Sequence, residues 1–319
     1  MPNIAILNYC NLKCKYCFAD DMIQEESSAV TMEDFQKILE FTAKVPGMNH
    51  IGIIGGEPTL HPQFDEILKE VNRYCKECNT DATLFTNGIM LEDHLPYIGE
   101  RIGILINYNN PVDMPKTLAD KLASTLDHLY DLSWFDRKVN IGCNVHMDCT
   151  DYTYLWDIVK KYKLNHIRCS VVSPGGIYIP WRERKEEYYM AMKPIFIQFC
   201  KDAIKNHCKL GMDCGHIPMC YFTMEEKEIV QEACDGLYQD FCEPVIDITT
   251  DFRATACFGA YDPVDIRDFN DILELHRFLM AKKTLPRAAA NCTGRCSTCK
   301  KHKLLQCQGG CLGFAQLGE

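Results

Sequence analysis

The amino-acid sequence predicts an α/β protein in which a parallel sheet is followed by a small, cysteine-rich C-terminal domain. Short β-type runs alternate six times with amphipathic helical patterns over roughly the first 180 residues, as in a parallel sheet with helical crossovers. Glycine-containing turns close the second and third runs. Of the 20 cysteines of the chain, three lie within the first 17 residues and five within residues 292–311.

Six segments are predicted as strands because they are short, apolar and rich in β-branched residues. They are Asn3–Asn8, Ile51–Ile54, Ala82–Thr86, Gly103–Asn107, Val139–Val145 and His166–Val172. Helical spacing of apolar residues predicts helices over 64–75, 118–129, 155–162 and 192–203. Thr31 followed by Asp34 predicts one more helix start. A parallel sheet of this kind carries its site at the carboxyl ends of the strands.

The same patterns divide the chain into three parts. Residues 1–180 are predicted to form the repeating α/β domain, and residues 181–210 a connecting loop and long helix. After about residue 208 the apolar periodicity fades while the cysteine density rises. Residues 211–319 are therefore predicted to form a small domain that depends on bound metal, because its apolar core is limited.

Composition excludes several classes of protein. A net charge of −10 argues against a nucleic-acid partner, which requires dense Lys and Arg. No run approaches the roughly 18 apolar residues of a membrane helix. The N-terminus has no basic region or cleavage site of a signal peptide, so a cytoplasmic protein is expected. In such a chain, cysteines are more often metal ligands, catalytic thiols or small buried residues than disulfides.

The first cysteine cluster has the spacing CxxxCxxC, formed by Cys10, Cys14 and Cys17 after the first strand. Three thiolates on one short loop can bind three corners of a cubane cluster and leave the fourth iron open. The alternatives are a zinc site completed by a remote cysteine, or three unrelated thiols. Zinc sites usually pair CxxC with a second such pair nearby, which this segment lacks. A [4Fe–4S] cluster is therefore favoured.

With this triplet, residues 3–172 resemble the radical S-adenosylmethionine (SAM) superfamily, which implies a partial (β/α)6 barrel. In that family SAM chelates the open iron and is cleaved reductively to a 5′-deoxyadenosyl radical that abstracts a substrate hydrogen atom. The resemblance implies that Tyr16 and Phe18 lie beside the adenine. Gly55, Gly56, Glu57 and Pro58 match the family's GGEP motif, in which the glycines allow close approach and the carboxylate accepts the SAM ammonium. A simple tight turn is the alternative.

Four further residues match the family less specifically. Asn87 belongs to a Thr-Asn-Gly segment that closes the third strand. Asn107 and Asn144 are expected to bind the ribose or the methionine carboxylate, or to be structural amides. Arg168 lies inside the sixth strand, where a buried cation requires an anion. The SAM carboxylate and a neighbouring Asp or Glu are both candidates.

The C-terminal cysteines resemble the SPASM extension of radical SAM enzymes. The matching residues are Cys242, Cys257, Cys296, Cys299, Cys307 and Cys311. Phe252 stands where the family has glycine, the gap before Cys307 is longer, and no cysteine follows Cys311. A full SPASM domain carries two clusters and needs about eight thiolates. Possible additional ligands are Cys214, Cys220, Cys234 and Cys292.

Two alternatives to the SPASM domain remain open. The shorter twitch domain binds one cluster through a spaced pair and a CxxC, which Cys242, Cys257, Cys296 and Cys299 would supply. A structural zinc site is the other alternative. One or two auxiliary [4Fe–4S] clusters are expected, and two are favoured. The remaining cysteines, such as Cys75 and Cys143, are interpreted as small buried residues.

Three functions are weighed. The resemblance favours an enzyme that crosslinks or oxidises a ribosomally made peptide. The second is a dehydrogenase or rearrangement enzyme for a small molecule such as a sugar, aminoglycoside or tetrapyrrole. The third is a non-enzymatic iron–sulfur or zinc-stapled binding protein, against which the GGEP segment argues. Flavodoxin or ferredoxin is the expected electron donor. Many such peptide-modifying enzymes begin with a leader-binding domain, for which the position of Cys10 leaves no room. This departure either weakens the peptide hypothesis or assigns leader binding to a separate protein.

Overall fold

A ten-stranded sheet forms the centre of the computed structural model, which describes residues 2–17, 19, 28–173, 176–239, 241–304 and 306–315. Its order is β10-β9-β8-β1-β2-β3-β4-β5-β6-β7, and its two edges do not pair with each other. Strands β1 to β7 pair in parallel, and β8 pairs in parallel with β1. Strand β9 is antiparallel to both β8 and β10. The sheet is therefore an open, partial barrel.

The strands and helices have the following bounds. The strands are β1 Pro2–Ala5, β2 Ile51–Ile54, β3 Ala82–Thr86, β4 Ile102–Asn107, β5 Val139–Val145, β6 His166–Val171, β7 Lys209–Met212, β8 Ile246–Ile248, β9 Arg253–Thr255 and β10 Val264–Asp265. The helices are α1 Met32–Ala43, α2 Phe64–Glu77, α3 Lys116–Asp131, α4 Thr153–Lys161, α5 Lys185–Lys205, α6 Met224–Ala233, α7 Ile272–Leu279, α8 Leu285–Ala290 and α9 Lys300–Lys303.

The predicted α/β alternation is confirmed, with one exception. All six predicted strands are present, and β2, β3 and β5 have the predicted bounds. Thr31 caps α1 by accepting a hydrogen bond from the Asp34 amide at 3.1 Å. After β3, however, the chain forms a 3₁₀ helix, Leu91–Tyr97, which contains Pro96. Proline lacks the amide hydrogen that an α-helix interior needs, so an α-helix does not form there.

Side chains alternate between the two faces of the parallel sheet. One face packs against the helices through fully buried residues such as Ile4, Ile53 and Ile104. The opposite face, which lines the inside of the partial barrel, carries polar side chains. These include Asn3, Asn107, Asn144, Arg168 and Asp247. Polar groups there can contact a ligand held inside the barrel.

The C-terminal segment extends the same sheet. Strand β8 pairs in parallel with β1, aligning Asp247 with Asn3. Asn3 Nδ2 also donates a 2.8 Å hydrogen bond to Asp247 Oδ1. The predicted boundary between residues 210 and 211 falls inside β7. The three-part division of the chain remains a prediction.

Sequence periodicity missed helices α6 and α7. Thr223 and Glu226 form a capping box at the start of α6, a Thr-x-x-Glu signal that the sequence contains. Asp271 caps α7. The structure also explains Phe252, which has a φ of 66°, in the left-handed region that glycine favours. Within the described residues, no helix is long and apolar enough to cross a membrane.

The Asp247 carboxyl group predicts a pH-dependent stability. Burial raises its pKa to about 7, against about 3.9 in the unfolded chain. The folded protein therefore holds this proton more tightly, and the resulting stability is complete below pH 4 and is lost as the pH rises towards 7. Between pH 4.5 and 7.5 the free energy of unfolding should therefore fall by about 3–4 kcal/mol more in the wild type than in Asp247→Asn. Urea unfolding of the two metal-free proteins at both pH values tests this prediction. An equal change in the free energy of unfolding in both proteins would contradict it.

Candidate active site and iron–sulfur ligands

The two glycines of the GGEP segment hold the cysteine loop against β2. Gly56 N donates to Leu7 O at 2.7 Å, and Glu57 N donates to Tyr9 O at 2.8 Å. A Cβ on Gly55 would lie 2.4 Å from Leu7 O, and one on Gly56 would lie 2.3 Å from Tyr9 O. A side chain at either position would push away the backbone that leads into Cys10. The close approach that these two glycines allow is therefore to the backbone of Leu7 and Tyr9.

Glu57 is buried, with 1% of its surface exposed, and joins the ends of β2 and β3. Its Oε1 accepts hydrogen bonds from Thr59 N at 3.2 Å, Thr59 Oγ1 at 2.7 Å and Thr86 Oγ1 at 2.6 Å. Its Oε2 accepts a bond from Asn87 N at 2.7 Å. Burial raises the pKa of Glu57, while these bonds oppose that rise. The sequence predicted that this carboxylate accepts the SAM ammonium. In the structure it already accepts four hydrogen bonds from the protein, which are the contacts of a positioning residue.

Asn87 continues this network to the cysteine loop. Its Nδ2 donates to Asn11 Oδ1 at 2.7 Å, and its Oδ1 accepts from Ile89 N at 3.1 Å. Asn11 directly follows Cys10. Pro58, the last residue of the motif, begins a 3₁₀ helix capped by Glu57. The motif and the Thr-Asn-Gly segment therefore fix the position of the loop that carries the first cysteines.

The thiols of the first cluster lie within electrostatic reach of one another. Burial, together with the charge of Cys17, raises the pKa of Cys10 to about 11 and that of Cys14 to about 12. Cys10 Sγ also accepts a hydrogen bond from Leu12 N at 3.4 Å. Thiolates packed this way need a cationic partner to remain ionised, because each repels the others. These residues fit the cysteine-bound iron of a [4Fe–4S] cluster.

Tyr16 packs beside this loop at the carboxyl ends of β4 and β5. Its hydroxyl donates to Asn109 Oδ1, and Asn144 also hydrogen-bonds it. The Tyr16 and His146 rings lie 4.5 Å apart between centroids. Neither Asn109 nor His146 was among the site residues predicted from the sequence, although both closely follow predicted strands. Phe18, the second predicted adenine contact, lies outside the described residues.

The two remaining barrel residues differ in their surroundings. Asn107 ends β4, and its Oδ1 occupies the space in front of Gly142. Arg168 pairs with Asp213 and lies over the Phe85 ring, 5.4 Å from its centroid. A neighbouring carboxylate thus neutralises Arg168, which does not need the carboxylate of SAM for that purpose.

Four cysteines from distant parts of the chain, three half-buried and one buried, form the first C-terminal group, which we call the buried group. They are Cys214, Cys242, Cys257 and Cys311. Burial raises the pKa of each thiol, and the charge of Cys257 raises those of the other three. Cys214 comes from the end of β7, where Val171 N donates to its carbonyl oxygen at 3.1 Å. The barrel therefore supplies one member of this group.

Backbone amides point at all four sulfurs of this group. Gly215 donates to Cys214, Leu312 to Cys242 and Gly313 to Cys311, while Gly259 and Ala260 both donate to Cys257. Each of these bonds lowers the pKa of its thiol. Amide hydrogen bonds to sulfur stabilise thiolates and tune the potential of cysteine-bound clusters. The donor set fits an iron–sulfur cluster.

The second C-terminal group lies nearer the surface. Cys292 is exposed, and its Sγ contacts His302 Nε2. The charge of Cys296 raises the pKa of Cys292. Cys299 N donates to Cys296 O at 3.1 Å, so these two share one turn. Cys307 is buried and accepts from Gly309 N at 3.4 Å. His302 was not selected from the sequence.

Asn291 connects the two groups. It is 1% exposed and directly precedes Cys292. Its Nδ2 donates to Gln308 O at 2.9 Å and to the carbonyls of Gly310 and Cys311 at 3.2 Å. Lys185 Nζ donates to Asn291 O at 2.5 Å and to Asn291 Oδ1 at 2.8 Å. One buried amide thus holds the segment between Cys307 and Cys311 against the start of α5.

Two of the additional predicted ligands are placed differently. Cys234 ends α6 and is buried, and its charge acts on Cys169 and Cys200. Cys234 therefore lies near two cysteines of the α/β domain, and its role as a metal ligand remains a prediction. Cys220 is exposed on a 3₁₀ helix. Among the residues the structure describes, no three Cys, His, Asp or Glu side chains are close enough to hold a single metal ion.

A cavity of about 310 Å³ lies beside the cysteine loop. Gly55 and Gly56 line it on one side, and the turn between β8 and β9, with Thr250 and Asp251, lines it on another. Phe258, the neighbour of Cys257, forms part of its wall. The cavity therefore lies between the glycines that hold the first cysteine loop and the segment that leads to Cys257.

Comparison with known families identifies the class of protein. A model of the Radical SAM superfamily matches residues 4–186, which is more than half of the chain. This chain therefore belongs to the radical SAM superfamily, whose enzymes use a [4Fe–4S] cluster and SAM. The predicted superfamily, fold class and enzymatic nature are confirmed.

Curated relatives match mainly the barrel. A probable GTP 3',8-cyclase of Methanococcus maripaludis is 27% identical over 46% of this chain and 50% of its own length. A cofactor-modifying protein for tungsten-containing aldehyde ferredoxin oxidoreductase of Pyrococcus furiosus is 29% identical over 51% of this chain and 47% of its own. The chain thus spans about half the length of most such relatives. A probable GTP 3',8-cyclase of Methanocaldococcus jannaschii is 24% identical over 84% of this chain and 85% of its own.

Two solved structures share the fold over nearly the whole chain. SuiB of Streptococcus suis, bound to SAM, has a TM-score of 0.65 at 16% identity and covers 97% of this chain and 72% of its own. The enzyme anSMEcpe, bound to SAM and the Cp18Cys peptide, has a TM-score of 0.61 at 17% identity and covers 97% of this chain and 88% of its own. Both are similar in fold.

The Glu57 network predicts the effect of a single substitution. Glu57→Gln would turn one accepting oxygen into an NH2 group that faces a donor, so it should lower the free energy of unfolding by about 1–3 kcal/mol. Denaturant unfolding of the metal-free protein measures this loss. The matched control is Glu66→Gln, at an exposed site on α2. A variant with full stability and weakened SAM binding would instead indicate that Glu57 acts on SAM directly.

Proposed function

We propose that this radical SAM enzyme modifies a peptide side chain and uses auxiliary iron–sulfur clusters held by its C-terminal cysteines. The observation that carries the proposal is the convergence of Cys214, Cys242, Cys257 and Cys311, with amide bonds to every sulfur, beside the cavity at Gly55 and Gly56. Such a site can bind a substrate between two redox centres. The fold shared with anSMEcpe, whose structure holds a peptide, supports the choice of substrate class.

The chain's own residues have separable tasks in this proposal. Cys10, Cys14 and Cys17 would bind the first cluster, which, together with bound SAM, supplies a 5′-deoxyadenosyl radical. Glu57 and Asn87 hold the cysteine loop in place through Asn11. Tyr16, Asn107 and Asn144 line the carboxyl ends of the strands where SAM would lie. The buried C-terminal thiols would hold a cluster able to accept the electron that a substrate radical releases on oxidation.

A second candidate is a cyclase that acts on a purine nucleotide. Several relatives are named GTP 3',8-cyclase, and one of them matches 84% of this chain. The two candidates differ in substrate chemistry, since a nucleoside triphosphate carries multiple negative charges and a peptide need not.

The two substrate classes can be separated directly. Reconstituted protein should release 5′-deoxyadenosine faster with a peptide substrate than without one, and GTP should leave the rate unchanged. Candidate peptides are those encoded beside the gene, assayed by mass spectrometry for a mass change. Conversion of GTP to a cyclised product would replace the peptide proposal with the cyclase.

The first cluster should depend on the three N-terminal cysteines. Alanine at Cys10, Cys14 and Cys17 together should remove one cluster's iron and abolish 5′-deoxyadenosine formation, because no other thiols share that loop. Iron counting and chromatography measure both. Cys78→Ala, at a half-buried cysteine that ends α2, is the matched control and should retain both properties. Normal SAM cleavage by the triple variant would overturn this assignment.

The C-terminal cysteines should be needed for product but not for SAM cleavage. Replacing Cys296 and Cys299 with alanine should lower total iron and abolish product formation, while uncoupled SAM cleavage survives at the first cluster. Electron paramagnetic resonance of the reduced variant should still show the first cluster. Unchanged iron, with stoichiometric zinc in the wild type, would show that this segment is a zinc site.

A further inference from the structure

Positive charge is concentrated in the C-terminal segment of an otherwise acidic chain. The net charge is −10, yet residues 275–318 contain no Asp or Glu. The Lys and Arg residues of this segment are Arg277, Lys282, Lys283, Arg287, Arg295, Lys300, Lys301 and Lys303. Lys283 and Arg287 face Asp262, at 2.8 and 3.6 Å. The cations nearest in sequence to Cys296 and Cys299 are instead exposed to solvent.

Arg295, Lys300, Lys301 and Lys303 are exposed and define what we call the basic surface. They flank Cys296 and Cys299 along the chain and lie within eleven residues of Cys292. Leu304 follows them and is 66% exposed. An apolar side chain among cations is typical of a small, polar contact that forms and separates quickly.

The neighbouring cavity has a different character. About 340 Å³ in volume, it is lined by both acidic and basic side chains of residues 182–187 and by Cys292. Its mixed charge gives no preference for an anionic partner. The basic surface, in contrast, carries only positive charge and therefore favours an anionic partner.

The most accessible cysteine of the two C-terminal groups lies beside this surface. Cys292 is exposed, whereas Cys214, Cys242 and Cys257 are half-buried and Cys311 is buried. Asn291 joins the two groups, since it directly precedes Cys292 and donates to the Cys311 carbonyl at 3.2 Å. An electron could pass from the buried group to the surface through covalent bonds and this hydrogen bond.

We infer that the basic surface docks an acidic one-electron carrier protein, such as a flavodoxin or a ferredoxin, over the second C-terminal cysteine group. This inference rests on the proposed function, which places a cluster on that group. In each encounter one electron passes between the carrier and the cluster, so that the partner that gives the electron is oxidised and the partner that receives it is reduced. Complementary charge accelerates encounter with an acidic carrier and aligns the two redox centres.

Charge reversal tests the inference. Lys300→Glu, Lys301→Glu and Lys303→Glu are combined in one variant. The control reverses Lys76, Lys160 and Lys201, which are exposed on α2, α4 and α5, and so has the same net charge. Stopped-flow mixing with reduced flavodoxin at low salt gives the second-order rate constant for cluster reduction. A neutral photoreductant, deazaflavin, shows whether the clusters themselves are intact.

The basic-surface variant should lose about ten-fold in the rate with flavodoxin and most of its salt dependence. The control variant should match the wild type, and deazaflavin should reduce all three proteins equally. Equal losses in both variants, or no loss in either, would overturn the inference. So would an unchanged flavodoxin rate together with lost binding of an acidic peptide or an RNA.

Failure of the proposed function would be recognised separately. Iron counting on the wild type shows whether C-terminal clusters exist at all. Calorimetry with oxidised flavodoxin measures docking without any electron transfer. Binding that is lost only in the basic-surface variant supports the docking site even if the cluster assignment fails, and absence of binding by the wild type at low salt overturns it.

Discussion

The carboxylate of Glu57 joins the ends of two parallel strands, and the position of the first cysteine loop depends on it. Its oxygens accept hydrogen bonds from Thr59, Thr86 and Asn87, and Asn87 then reaches Asn11 beside Cys10. The glycines before Glu57 let the same strand end pair with the backbone of residues 7–9. Burying a carboxylate is costly unless several donors satisfy it, so this arrangement tolerates little displacement. A loop that must present three thiolates to one cluster needs such a fixed base.

The C-terminal segment depends on the same sheet. Strand β8 lies beside β1, and Cys214 follows two residues after the end of β7, so both edges of the parallel sheet lead into the buried cysteine group. The side chains of Tyr188 and Tyr189 on α5 pack against Phe314, and the Tyr189 hydroxyl accepts a 2.8 Å bond from Cys311 N. These contacts hold the segment at Cys311 against α5.

Periodicity in the sequence predicted the barrel well because each strand and helix there buries a repeating apolar face. It predicted less after residue 208, where β8, β9 and β10 contain only two or three residues each and contacts between distant segments determine the structure. The GGEP segment was found, but the bonds of Glu57 to Thr86 and Asn87 could not be, since they join separate strands. Cys214 was a possible additional ligand by its residue type alone, and its nearness to Cys242, Cys257 and Cys311 depends on tertiary packing, which no local spacing reveals. The contact of His302 with Cys292 likewise joins residues ten positions apart.

The central claim is that the barrel and the C-terminal segment together build one auxiliary centre, with Cys214 contributed by β7. Mössbauer spectroscopy of ⁵⁷Fe-reconstituted Cys214→Ala tests it most directly, with Cys208→Ala as a control at a buried cysteine just before β7. Cys214→Ala should lose or convert one cluster, about four iron atoms at most, while the cluster at Cys10, Cys14 and Cys17 keeps its signal. A spectrum and iron content identical to those of the control would contradict the account.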